Sequence, residues 1–315
     1  MRGISSAIKK LQMNLLVSWL RGFRAVLHIV VGILLAATIL LTGGVRRWKI
    51  ERVMSWWSGV MLDIFNIEVR VNNAGVQGPR MLVANHVSWL DIILIGYVEP
   101  TRFVAKSEIR HWPIAGWLAN AMGTFYIRRG KGARDTVPER SEVGAGAGEA
   151  PTIPIRSNGK QPISTVGGAK PLLEKVVPHL RAGGSFIVYP EGTTTDGSSV
   201  LPFRARLFQA AIEAQCPVQP IALRFGRGAD GSDIAPFIGD DDLASHMLRL
   251  LKEPALIAEV TYCAPISPQG LDRDALALAS HTAISSVVAK PLPVEWRPFE
   301  AALDDTDSAI ETRTA

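Results

Sequence analysis

The chain has 315 residues, 47% of them apolar, and a formal net charge of +5. That length suits one large domain or two modest ones, with a substantial core and apolar surface to spare for lipid. The mild basic excess fits an anionic partner such as a membrane surface or a phosphorylated substrate; it is too weak to indicate nucleic acid, and no zinc-finger, RNP-type or basic-helix pattern supports that class.

Residues 25–45 contain no Asp, Glu, Lys or Arg, and a membrane span needs about 20 such residues. Arg2, Lys9, Lys10, Arg21 and Arg24 precede the run, and Arg46, Arg47, Lys49 and Arg52 follow it. The long charged leader and the lack of a small-residue cleavage site favour an uncleaved anchor over a signal peptide. Positive charge on both flanks leaves the orientation open, and leaves room for a helix that enters the bilayer without crossing it. His28, inside the run, is given no role. Residues 46–65 mix basic residues with Trp48, Trp56 and Trp57. That composition fits a helix lying at the interface, and fits an ordinary amphipathic packing helix equally well. Residues 1–65 are therefore expected to form a membrane anchor with an interfacial helix.

Seven short apolar runs bounded by turn residues then read as strands: 67–71, 80–86, 101–106, 123–129, 184–190, 218–225 and 255–262. Helical patterns follow Ser88, Glu108, Gly168 and Phe203. The alternation predicts an α/β domain over 66–300, a mostly parallel sheet flanked by helices. Residues 130–166 are rich in Gly, Pro, Ser and charge and read as a flexible insertion; 301–315 reads as a polar tail. Cys216 and Cys263 stand far apart without partners at metal-ligand spacing, and read as reduced thiols in a cytosol-facing domain.

The chemistry concentrates in NHVSWLD, residues 85–91. His86 falls at the C-terminal edge of a buried strand, where ligands bind in open α/β sheets. Ser88 is a good N-cap for the helix that follows, with Asp91 at its third position, so Asp91 has a purely structural reading as half of a capping box. Five residues along an ideal helix turn about 500°, about 140° off the starting face, so the two side chains cannot meet if both are helical. They can meet if His86 lies in the strand-to-helix turn and Asp91 in the first helical turn. The carboxylate would then fix the imidazole tautomer and leave the other ring nitrogen to take a proton from a hydroxyl. This is the logic of a serine triad with the substrate's own alcohol in place of the serine.

NHVSWLD resembles the N-H-x-[ST]-x-x-D signature of glycerolipid acyltransferases, the family that includes 1-acylglycerol-3-phosphate acyltransferase. Three further blocks stand in that family's order: GTFYIRR (123–129), YPEGTTTDG (189–197) and CPVQPIAL (216–223). The resemblance covers roughly residues 65 to 265. It implies His86 as general base oriented by Asp91, with Arg129 pairing with a phosphate. Glu191, Gly192, Thr193 and Thr194 would shape the acceptor site, and Pro220 matches the proline of the last block. It further implies transfer of an acyl group from acyl-CoA or acyl carrier protein to the free hydroxyl of a lysophospholipid, with no metal or cofactor. The first acceptor it suggests is 1-acyl-sn-glycerol-3-phosphate, giving phosphatidic acid. It implies an inner or cytoplasmic membrane location with the catalytic domain facing the cytosol.

One position departs from the pattern. Many members that use lysophosphatidic acid carry arginine directly after E-G-T, where this chain has Thr194. The longer run EGTTTDGSSVLPFR is more similar to the subgroup of lyso-ornithine lipid acyltransferases, so lyso-ornithine lipid or another lysophospholipid is the alternative acceptor, with Arg204 and Arg206 near enough in sequence to compensate. A non-catalytic lipid-binding membrane protein is the alternative of another class, and an intact His86 and Asp91 argue against it. GRGADG (226–231) lacks the apolar helix a dinucleotide site needs and reads as a loop. His111, His179, His246 and His281 lack metal spacing. Trp112 and Trp117 read as core residues by default, with an acyl-chain groove as the other reading.

Overall fold

The structure is a computed structural model that describes residues 2–42, 49–127 and 170–290, without side chains for 2–11. The calls on Arg129, Trp48, the insertion 130–166 and the tail 301–315 lie outside the described residues.

The apolar run near the N-terminus belongs to one helix, α1 (Arg2–Leu41), of which Gln12–Leu41 is long and apolar enough to cross a membrane. Its 40 residues reach about 60 Å at 1.5 Å each. Ala25, His28, Gly32, Ala36 and Ile39 form a buried stripe at helical spacing. At one end Arg21 donates to the Glu253 carbonyl (2.7 Å), and at the other Ala36 and Ile39 pack with Ile50 and Ala121. The apolar segment thus lies along the globular part at both ends, while Trp19, Phe23, Val26, Leu27, Val30 and Leu34 remain exposed.

Helix α2 (Ile50–Ile64) turns Met54, Met61 and Leu62 into the core and leaves Trp56 exposed. It is a packing helix, the second of the two sequence readings, and it keeps one tryptophan on its outer side. His28 and Trp57 join it to α1: the His28 ring stacks on the indole (5.2 Å between centroids), its Nε2 meets the Trp57 carbonyl (2.8 Å), and the indole N–H donates to the His28 carbonyl (3.2 Å).

Each of the seven expected strands forms: β1 (Ile67–Asn72), β2 (Met81–Ala84), β3 (Arg102–Lys106), β4 (Phe125–Ile127), β5 (Phe186–Val188), β6 (Val218–Phe225) and β7 (Leu256–Tyr262). The sheet order is β1-β7-β6-β2-β5-β3-β4, and every pair is parallel except β6–β7. The central strands β2 and β5 are covered on both faces, which is why they read as continuous apolar runs. Leu82, Ala84, Ile187, Ile221 and Leu223 face one way, against α2 and α3 (Leu90–Val98). Met81, Val83, Phe186, Val188 and Val218 face the other. There they meet α5 (Lys170–Arg181), α6 (Gln209–Ala214) and α8 (Arg273–Val288).

Helix α4 (Ala115–Ala121) corrects the default reading of Trp112 and Trp117. Its inner face is small, Gly116 and Ala121, so the bulky residues around it point outward and both tryptophans are exposed. Helices α7 (Leu243–Lys252) and α8 were not anticipated; each is started by an aspartate, Asp242 and Asp272, whose side chain accepts an amide of the first turn.

Candidate active site

The site sits where β2 and β5, neighbours in the sheet, reach their C-terminal ends. The segment after β2 leads to α3 on one face and that after β5 leads to α6 on the other. Their divergence opens a crevice at the sheet rim, the general place for a ligand in such folds.

Asn85 controls the exit from β2. Its side-chain amide donates to the Leu223 carbonyl (2.9 Å) and accepts from the Leu223 N–H (2.8 Å), so it extends the pairing with β6 by one rung. The backbone at His86 is thereby free to turn. Asp91, fully buried in the first turn of α3, then gathers that turn through one oxygen. Its Oδ2 accepts from the Val87 amide (2.7 Å), the Ser88 amide (2.9 Å) and Nδ1 of His86 (2.7 Å). One carboxylate oxygen therefore makes both the capping contact and the contact with the imidazole. Ser88 is a correction: α3 begins at Leu90, and the Ser88 hydroxyl is buried with no hydrogen-bond partner among the described residues.

Bonded to a carboxylate, Nδ1 carries the proton and Nε2 keeps its lone pair. The His86 side chain is 20% exposed while Asp91 is closed to solvent. The arrangement offers one basic nitrogen to a ligand, backed by a negative charge that stabilises the imidazolium formed on proton transfer.

The E-G-T turn closes the other side. The β2–β5 register places His86 opposite Glu191, whose Oε1 accepts the His86 amide (2.7 Å) and whose Oε2 accepts the Leu201 amide (2.8 Å). Glu191 thus ties three segments together. Burial, above all, holds its carboxyl above the usual carboxylate range, against the lowering pull of those two amides. Gly192 has φ +75°, and a Cβ there would lie 2.9 Å from Cζ of Arg204; the position needs glycine both for its conformation and for that close guanidinium. Thr193 is exposed at the tip. Thr195 returns to the first turn, its amide donating to the His86 carbonyl (2.9 Å).

Thr194 does not face the crevice with a cation. Its hydroxyl donates to the Phe237 carbonyl (2.5 Å), while the Phe237 amide donates to the Val87 carbonyl (3.0 Å). Phe237, which the sequence did not single out, bridges both signature turns. Behind it His246 is fully buried and satisfied, accepting from the Trp89 indole at Nδ1 (2.9 Å) and meeting the Pro236 carbonyl at Nε2 (3.0 Å). Pro220 is not brought to the crevice. It pairs with Val83 inside the sheet, three residues or about 10 Å below His86. Tyr189, the last residue before the Pro-Glu-Gly-Thr turn, lies flat against the His86 ring, with centroids 4.4 Å apart and planes at 20°.

A family model described as Acyltransferase matches residues 66–224. The chain is 36% identical to a lyso-ornithine lipid O-acyltransferase of Pseudomonas aeruginosa, over 74% of this chain and 77% of that one. It is 27% identical to a 1-acyl-sn-glycerol-3-phosphate acyltransferase of Neisseria gonorrhoeae, over 79% of this chain and 85% of that one. The fold resembles the crystal structure of the 1-acyl-sn-glycerophosphate acyltransferase PlsC of Thermotoga maritima, with TM-score 0.59 at 19% identity, covering 93% of this chain and all of that one.

Proposed function

Since this chain belongs to the acyltransferase family, we propose that it moves a fatty acyl group from acyl-CoA or acyl carrier protein to the free hydroxyl of a lysolipid, and that the acceptor is lyso-ornithine lipid. The observation that carries the chemistry is the 2.7 Å bond from His86 Nδ1 to Asp91 Oδ2, which leaves Nε2 as the base. Nε2 removes the acceptor's hydroxyl proton as that oxygen attacks the thioester carbonyl. The new ester forms as the carbon–sulfur bond breaks, and the imidazolium returns its proton to the departing thiolate. A thioester is already activated, so the protein's work is alignment and proton transfer. No covalent acyl-enzyme is required.

Two observations support the acceptor. The relative at 36% identity carries that name, and Thr194 spends its hydroxyl on Phe237 where a phosphate-binding arginine would otherwise stand. The enzyme is associated with the membrane that holds its substrate, and its catalytic domain faces the cytosol, where the acyl donor is found. The outer face of α1, with Trp56, Trp112, Ile114 and Trp117, supplies the apolar surface for that contact.

Purified protein given one labelled acyl-CoA and a panel of lysolipids tests the assignment. Lyso-ornithine lipid is expected to be acylated at least about tenfold more efficiently than 1-acyl-sn-glycerol-3-phosphate, the margin that loss of one phosphate cation gives. A preference for the phosphate acceptor would overturn the headgroup assignment and leave acyl transfer standing.

A further inference from the structure

The His86–Asp91 hydrogen bond fixes where Nδ1 lies, but it does not fix the ring. A hydrogen bond at one edge tolerates a tilt of the ring, and a tilt moves Nε2, which lies away from that edge. A flat neighbour packed on one face of the ring limits the tilt. Tyr189 is that neighbour: its ring lies 4.4 Å from the imidazole, at 20° to its plane. It is held in turn from both sides. The chain enters it directly from β5, its carbonyl accepts the Gly192 amide (3.1 Å), and its side chain is packed in the core with Leu82, Ala84 and Leu90.

We propose that Tyr189 is a positioning residue for acyl transfer, its ring locking the imidazole of His86 in the plane that aims Nε2 at the acceptor hydroxyl. The inference rests on His86 being the general base. Stacking adds a second effect in the same direction. When His86 takes the proton it becomes a cation lying over an aromatic face, an arrangement that favours the charged ring. The phenol hydroxyl takes no part in this. It is buried without a hydrogen-bond partner among the described residues, and burial first, then the charge of Asp91, hold it protonated. The ring, rather than the hydroxyl, is the working part.

The test compares Tyr189→Leu and Tyr189→Phe with the wild type and with His86→Ala, in full-length protein with saturating labelled acyl-CoA. Tyr189→Leu is expected to lower kcat about 10- to 100-fold, the scale set by a base displaced by about 1 Å, with KM for the acceptor nearly unchanged. Tyr189→Phe, which keeps the ring, is expected to restore kcat to within about threefold of wild type. A merely structural role would lower the yield of folded protein and spare kcat per folded molecule. Since the leucine variant can fail to fold, a second readout needs no Tyr189 variant: the His86 Cε1 proton resonance of the wild type, assigned by its loss in His86→Ala, is expected upfield of an unstacked histidine. Full kcat in folded Tyr189→Leu, an equal loss in Tyr189→Phe, or an unshifted His86 resonance each overturns the proposal. If His86→Ala itself keeps full activity, the general-base reading fails, and the positioning role falls with it.

Discussion

Asp91 shows how one side chain can serve two local contacts at once. Its Oδ2 both holds the amides of Val87 and Ser88 and orients His86, so the helix start and the set of the imidazole rest on the same atom. Glu191 does the complementary task, joining the His86 amide to that of Leu201. Glutamine there can accept from one amide only and faces the other with its own N–H₂, a loss of about 1–3 kcal/mol for a buried bond. Glu191→Gln is therefore expected to lower the melting temperature. The size of the loss should depend on pH in a defined direction. The folded carboxyl holds its proton above the usual carboxylate range, so the unfolded chain releases that proton first as pH rises. The stabilising contribution is complete below the ordinary glutamate value and fades as pH climbs through the raised one. Melting curves of the two proteins should accordingly draw closer from acid pH upward through that window; a gap that widens would contradict the raised pKa.

Helices α1 and α2 were legible as apolar and aromatic segments, but the sequence could not say which face of each is covered. The answer lies in small residues. Gly32 lets α1 approach α2 so closely that a Cβ there would lie 2.6 Å from the Trp57 indole nitrogen, the group that donates to the His28 carbonyl. Gly96 of α3 likewise makes room for Ser58 of α2, at 2.6 Å from its hydroxyl. Gly32→Val is expected to drive the two helices apart and break the indole hydrogen bond, costing about 1–3 kcal/mol of overpacking. Thermal unfolding of the detergent-solubilised protein measures it, and an unchanged midpoint would contradict the close packing of the pair. The strands were the easiest elements to read, since β2 and β5 are covered on both faces and are uninterrupted apolar runs. Helix α7 was hidden behind a Gly- and Asp-rich loop, and α8 by small residues that blur any apolar stripe. The antiparallel placement of β7 left no local mark, because its pairing with β6 is a property of the assembled sheet.

At the scale of the whole molecule, the crevice exists because segments far apart in sequence converge on one sheet rim. His86 and Asp91 were readable because five residues of local geometry decide their meeting. Tyr189 and Phe237 were not, since stacking on His86 and bridging of Val87 to Thr194 arise only when β2, β5 and the segment before α7 come together. Pro220, carried over by resemblance, belongs to the sheet beneath. The proposed acyl transfer requires a base at Nε2 of His86, and one comparison bears on it most directly: initial rates of acyl transfer from labelled acyl-CoA to lyso-ornithine lipid by wild type and His86→Ala, with melting temperatures recorded alongside. The expected result is a fall in kcat/KM of about 100- to 10,000-fold, the range for a positioned general base, at an unchanged melting temperature. A variant that stays folded and transfers acyl groups within about threefold of the wild-type rate would contradict the role of the imidazole.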